Sequence, residues 1–219
     1  MKISTPSLGR FPSRALHLLA LACLASSALT PRIHAQSKPT TAEPQTPPAH
    51  SFHDPHSGIT FQVPAGWNLT RKDGDVSTFN LDARSTSKAT RLSAVANITF
   101  NPFPKSTFAG AYFYASLTPH LSDADCSHQA SALNPHPITT NPVAGIPFTH
   151  GYDEHGGVCT ESRDEIYTAP HRGACYRFDL VINNFCGGDV SGVKDISPQE
   201  LENVRKRLES ILATVQFDK

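Results

Sequence analysis

The sequence predicts an α+β domain: strands joined by hairpin turns, with a C-terminal helix lying on the sheet they form. Two observations carry that prediction. Short stretches such as Gly58-Ile59-Thr60-Phe61-Gln62-Val63 and Tyr176-Arg177-Phe178-Asp179-Leu180 alternate apolar with polar residues, the period of a half-buried strand. Near the C-terminus, Ser197-Pro198-Gln199-Glu200 supplies an N-cap serine, a proline at the first helical position and a glutamate three residues after the cap, which together make a capping box. Leu201, Val204, Leu208, Ile211 and Leu212 then follow at helical spacing, as on a helix with one apolar face.

The N-terminus lies outside that fold. Met1 to Arg14 carries Lys2, Arg10 and Arg14 without an acid, and Ala15 to Ala28 is a mostly apolar run ending in small residues. That layout describes a secretory signal peptide, expected over residues 1–35, with cleavage after Ala28 or Ala35. The apolar run is shorter than the ~20 residues of a spanning helix, so no transmembrane segment is expected in the mature chain. Ala20-Leu21-Ala22-Cys23 resembles a lipobox, which makes lipid anchoring at Cys23 the alternative to plain removal of the leader. Residues 36–50, rich in proline, threonine and glutamine, read as an extended linker, and 51–219 as a single domain with room for a core. The whole chain balances 19 basic against 19 acidic residues, and four of the basic ones lie in the leader, leaving 15 against 19 and a net charge of −4. A nucleic-acid binder needs a basic face. Arg205-Lys206-Arg207, flanked by Glu202 and Glu209, reads instead as a solvated helix face.

Along the domain, Ser51 to His56 reads as a polar lead-in. His50, His53 and His56 recur at threes, but Pro55 breaks the run before they can converge on a metal. Ile59, Phe61 and Val63 mark the opening strand, Pro64-Ala65-Gly66 stops it, and Trp67, the one tryptophan, is sited to cover the end of a core. Asp73-Gly74 predicts a hairpin between Trp67–Thr70 and Val76–Leu81, and Arg84 to Arg91 a polar loop. Leu92 to Phe100 reads as a strand with Ala94, Ala96, Ile98 and Phe100 on one face. The aromatic run and glycine of Phe108 to Leu117 favour another. Ser122-Asp123-Ala124-Asp125 opens a short helix carrying Cys126, and Leu133 to Val143, with three prolines, reads as an irregular connection. Strands are expected at Phe148–Tyr152, Glu161–Thr168 and Cys175–Asn183, with a turn at Ala169–Gly173. In the last strand Tyr176, Phe178, Leu180 and Ile182 point one way, while Arg177, Asp179 and Asn183 point the other. Thr214 to Phe217 reads as a short terminal strand.

Two stretches bear a resemblance to a known family. Gly58 through Trp67 resembles the strand, proline and tryptophan opening of PsbP-like domains, and Glu200 through Phe217, a helix running into a short strand, resembles their ending. The resemblance implies an antiparallel β-sheet with helices packed on it, an α/β/α sandwich, and a non-enzymatic binding or assembly role. It covers about a sixth of the chain. The middle departs from the pattern in its reduced helix and its added cysteines, so no functional residue carries over.

Chemistry has few candidate sites. Cys126, Cys159, Cys175 and Cys186 remain after leader removal, and an even count in an exported chain implies two disulfides. Residues facing each other across a turn centred near 171 should have numbers summing to about 342. Cys159 and Cys186 sum to 345, so the expected pairs are Cys159–Cys186 and Cys126–Cys175. No Cys-x-x-Cys spacing supports zinc. His150-Gly151-Tyr152-Asp153-Glu154-His155, with His171 nearby in sequence, is the best polar constellation and offers metal ligands or an acid–base pair. Its odd offset, however, puts the two histidines of one strand on opposite sides. No nucleophile elbow, P-loop, His-Glu-x-x-His or dinucleotide fingerprint is present. Asn68-Leu69-Thr70 and Asn97-Ile98-Thr99 fit the glycosylation sequon. The expectation is a secreted or periplasmic non-enzymatic module that binds a protein or small molecule without a cofactor. The alternatives are a histidine-dependent metal protein built on 150–155 and a lipid-anchored envelope component.

Overall fold

The alternating stretches become ten strands among the residues that the computed structural model describes, 46–72, 89–131, 137–185, 187 and 192–219. β1 (His50–Asp54) and β2 (Ile59–Val63) join the two-residue β10 (Gln216–Phe217) in a small antiparallel sheet ordered β1-β2-β10. A second antiparallel sheet uses β3 (Trp67–Thr70), β4 (Arg91–Ile98), β5 (Phe108–Pro119), β6 (Thr139–Val143), β7 (Ile146–Gly157), β8 (Thr160–His171) and β9 (Ala174–Phe185). Its order is β3-β4-β5-β9-β8-β7-β6. Two helices complete the described fold: α1 (Asp123–Ser131) and α2 (Pro198–Leu212). The class is α+β, as expected, and the strands pair antiparallel throughout both sheets.

One face of the seven-stranded sheet is apolar. Phe113, Phe148, Phe178 and Leu180 lie there, fully buried together with Val204, Leu208 and Ile211 of α2. The small sheet closes on the same face through Phe61, whose ring centre is 5.2 Å from that of Phe113. Phe178 lies between Phe113 (5.8 Å) and Phe148 (5.6 Å). Trp67, 2% exposed, belongs to this core. The helix that covers it starts where the sequence says: Glu200 N–H donates to Ser197 Oγ (3.3 Å) and Ser197 N–H to Glu200 Oε2 (2.8 Å).

The opposite face receives α1. The Cys126–Cys175 disulfide ties this helix to β9, and at β7 it comes so close that a Cβ on Gly151 would lie 1.6 Å from the Ala130 carbonyl oxygen. Only glycine allows that approach. Opposite residues of an antiparallel pair share a face, so the register assigns Cys175, Arg177 and Asp179 to the α1 side with Asp164, Thr168 and Gly151.

Several expectations are corrected. Residues 36–50 were expected to be linker, but β1 begins at His50, and Ser51–Asp54 is strand rather than lead-in. Its inward positions are Phe52 and Asp54, and a single apolar residue hides the period. Within 133–143, an irregular connection on its prolines, 139–143 is the edge strand β6, where Pro142 is tolerated because an edge leaves one side unpaired. β4 stops at Ile98, leaving Phe100 42% exposed. The turn after β8 is not Ala169–Gly173 but Arg172-Gly173 alone, both at positive φ (49° and 78°), as a two-residue hairpin turn requires. Pairs across β8 and β9 therefore sum to 345, as in Thr160 with Phe185.

Two disulfides were expected and one, Cys126–Cys175, is described. Cys159 is also disulfide-bonded, but its expected partner Cys186 lies outside the described residues. The leader with Cys23, residues 36–45 of the linker and the Asp73-Gly74 hairpin tip also lie outside them.

Candidate functional site

The polar constellation expected at 150–155 lies within β7, and the strand's alternation splits it. On the α2 side, the His150 ring stacks on Tyr167 at 4.3 Å, and its Nε2 donates to Glu165 Oε2 (2.5 Å). A carboxylate only accepts, so Nε2 carries a proton. Nδ1 lies 3.0 Å from Thr139 Oγ1 and 3.3 Å from Asn141 Nδ2. Tyr152, on the same side, donates to Glu154 Oε2 (2.8 Å). Burial, then that carboxylate, pushes its phenol well above the usual range. Burial likewise pushes Tyr167 up to about 12, helped by the charges of Glu165 and Glu209.

On the α1 side, His155 Nδ1 lies 2.9 Å from Asp153 Oδ2. His171 sits on β8 with its ring 5.0 Å from Phe217 and 5.8 Å from Tyr176. Burial, then the Arg172 charge, holds its pKa down. The three histidines thus have three separate sets of neighbours. Among the described residues, no group of three or more His, Cys, Asp or Glu is placed to hold a metal ion, and no helix is long and apolar enough to cross a membrane.

A further polar cluster, not singled out from the sequence, is buried on the α1 side. Arg177 Nε donates to both carboxylate oxygens of Asp179 (2.8 and 3.0 Å), and Arg177 Nη2 reaches Asp179 as well. Asp164 Oδ2 lies 3.8 Å from Nη2. Asp164 and Asp179 are 1% and 0% exposed. Burial, then the Asp179 carboxylate beside it, holds the Asp164 carboxyl well above the usual range, against the pull of Arg177. Burial alone would lower the Arg177 pKa, but Asp179 and Asp164 more than reverse that. The alternation had assigned Arg177 and Asp179 to the polar side of β9, and they are there. What it lacked is that α1 lies on that side. The available signal was Cys175, two residues before Arg177, whose bond to Cys126 brings the helix over.

A cleft of about 230 Å³ runs between α2 and the sheet, with Leu180, Ile182 and Leu201 as an apolar floor and Tyr152, Glu165 and Arg205 on its rim. Arg205 is bound to Glu202 (2.9 Å) and Glu209 (2.6 Å) along the helix, so its charge is neutralised within α2.

No protein-family model matches the chain, and no curated protein is significantly similar to it. The solved structures that match it include three at low similarity. One is from Bacteroides thetaiotaomicron (TM-score 0.42, 11% identity, over 77% of this chain), and the match spans 48% of that chain. LpqN, a protein of Mycobacterium tuberculosis involved in cell envelope biogenesis, matches with a TM-score of 0.41 and 13% identity, over 78% of this chain and 91% of its own. PsbP (CyanoP) of Synechocystis sp. PCC 6803 matches with a TM-score of 0.41 and 11% identity, over 77% and 92%. At this level of similarity none of the three assigns a family or a role.

Proposed function

We propose that the chain is an exported, non-catalytic binding or assembly module of PsbP-like fold. One observation carries the reading: the polar groups best suited to chemistry are tied to internal partners on opposite faces of one sheet. His150 holds Glu165, His155 holds Asp153, and Arg177 holds Asp179. A metal site or an acid–base pair needs groups that converge on one point. Export is supported by the buried Cys126–Cys175 disulfide, a bond that persists in oxidising compartments, and by the leader-like residues 1–35. The resemblance of Gly58–Trp67 and Glu200–Phe217 to PsbP-like domains supports the binding or assembly role.

The test combines location with substitution. Fractionation is expected to find the mature chain outside the cytoplasm, with a Cys126–Cys175 peptide recovered without reduction. A cytoplasmic, fully reduced chain overturns export. His150→Gln and His155→Gln are expected to leave the growth or envelope phenotype of a deletion strain fully complemented. Loss of complementation by folded variants, together with stoichiometric metal in the purified protein, would put a histidine-dependent metal protein in its place. A lipid mass on Cys23 at the mature N-terminus would instead make it an anchored envelope component.

A further inference from the structure

β10 is the shortest strand of the small sheet, and few contacts hold it there. Gln216 and Phe217 pair with Thr60 and Ile59 of β2, and the Asp218 N–H donates to the Gly58 carbonyl (2.8 Å). The side chain that seats the strand is Phe217. Its ring is bordered by three others, 5.0 Å from His171, 5.1 Å from Tyr176 and 6.3 Å from Phe148. Phe148 and Tyr176 are core rings, but His171 can take up a proton in the physiological range. An apolar ring is thus seated against one that can become a cation.

His171 is badly placed to carry that charge. Its Nε2 is buried and has no hydrogen-bond partner. A neutral imidazole can leave its proton on Nδ1, whereas the protonated ring has one on each nitrogen. Protonation therefore puts a charged donor at a buried atom with no acceptor, which is costly. The groups around it do not offset this. Arg172, next in the chain, adds a like charge, and the Tyr176 hydroxyl already donates to the Ser57 carbonyl (2.6 Å). Asp218, beside Phe217, meets His53 Nε2 (3.3 Å), and Asp54 meets Ser57 and Arg71. Asp123 of α1 shares a surface cavity with His171 and Arg172 but is exposed and screened. Burial, then the Arg172 charge, holds the His171 pKa down. Arg172 acts whether or not β10 is in place, so burial is the part that couples to the strand.

We propose that His171 makes β10 a pH-sensitive latch, seated on β2 while the ring is neutral and released when the ring is protonated. Undocking lets water reach Nε2, so the undocked ring takes up the proton more readily. Docking is fully favoured above the ordinary histidine value of about 6.5 and loses ground as pH falls through and below it. His53 works the other way, because its protonation favours the contact with Asp218. That pair is about half exposed on both sides, and exposed pairs contribute little, so the His171 effect prevails. Release frees the β2 edge at Ile59 and Thr60 and empties the slot beside Phe148 and Tyr176. A free edge pairs readily with another strand. The latch operates whether or not the chain is a binding module, so its failure and the failure of that reading are separate outcomes.

Amide hydrogen exchange of the disulfide-intact chain is followed by NMR at about pH 7.5 and about pH 5, on either side of the histidine range. Each rate is divided by that of the same residue in an unstructured peptide at the same pH. Protection of the Asp218 amide, which reports the docked strand, is expected to fall about fivefold or more at the lower pH, the low end of ordinary coupling between two sites. The Leu208 and Ile211 amides of α2 are expected to keep theirs. His171→Phe is expected to hold Asp218 protection at both pH values, and His53→Gln to keep the wild-type loss. Near-UV circular dichroism checks that the His171 variant is folded, and His171→Leu serves if it is not. The proposal is overturned if wild-type protection does not change with pH, or if the loss survives without His171. It is also overturned if the loss disappears in His53→Gln, or if α2 loses protection in step with Asp218.

Discussion

The two faces of the seven-stranded sheet are held by different physics. The α2 face is a continuous aromatic and aliphatic core, in which Phe113, Phe148 and Phe178 stack against Val204, Leu208 and Ile211. Burial of that kind is non-directional and scales with apolar area. The α1 face holds Asp153, Asp164, Arg177 and Asp179 beside a smaller apolar cluster of Val95, Tyr114 and Val181, so its stability depends in large part on each charge having its partner. A helix cannot be held over such a face by hydrophobic contact alone. A covalent bond at Cys175 and a glycine at 151 keep α1 in place. The apolar face accounts for the fold, and the charged face makes it conditional on oxidation and on pH.

The strongest way to break the comparison is Phe178→Ala. Removing a fully buried ring that touches two others should cost about 3–5 kcal/mol, read as a loss of stability in urea with both faces unfolding together. Cys126→Ser should cost about 2–4 kcal/mol. Hydrogen exchange after that substitution should rise first in Asp123–Ser131 and β7, while α2 keeps its protection. Equal loosening of α2 would mean that the faces are not separately held. Gly151→Ala forces a methyl group against the Ala130 carbonyl and should cost about 1–3 kcal/mol as overpacking, with the same exchange pattern but the disulfide intact.

Asp164→Asn is the smallest effect and has the opposite sign at neutral pH. The folded-state pKa of Asp164 is raised, so the native chain holds a proton that the unfolded chain releases. Its contribution is fully present below the ordinary carboxylate range and is lost as pH rises through the folded value. Asparagine keeps an N–H donor toward Asp179 without the proton to lose. The variant is therefore expected to be more stable than wild type at neutral pH and to flatten the decline of stability from acid toward neutral. An unchanged pH profile would show that Asp164 is ionised in the fold.

Legibility in the sequence divided along the same line. The apolar face was readable because its signals are local and periodic: Tyr176, Phe178, Leu180 and Ile182 on β9, and Val204, Leu208 and Ile211 on α2. Cysteine arithmetic pointed to Cys126–Cys175 because hairpin register constrains which residues can meet. β1 was missed because its inward positions are one phenylalanine and one aspartate. Asp54 tolerates that place because hydrogen bonds from Ser57 Oγ (2.8 Å) and the His56 N–H (3.3 Å) hold its carboxyl below the usual range, although burial alone would raise it. β6 was missed because Pro142 reads as a breaker unless the strand is known to be an edge.

By itself the sequence determined the α+β class, the start of α2, the opening Gly58–Trp67 and the opposite placement of His150 and His155. Each follows from spacing within a few residues of chain, where backbone geometry leaves little choice. Only the tertiary structure decided that Arg177, Asp179 and Asp164 are buried together and that Gly151 lies under a helix carbonyl. Those outcomes depend on which element arrives from far along the chain, and a local pattern of polar residues is the same whether water or a helix comes to lie on it.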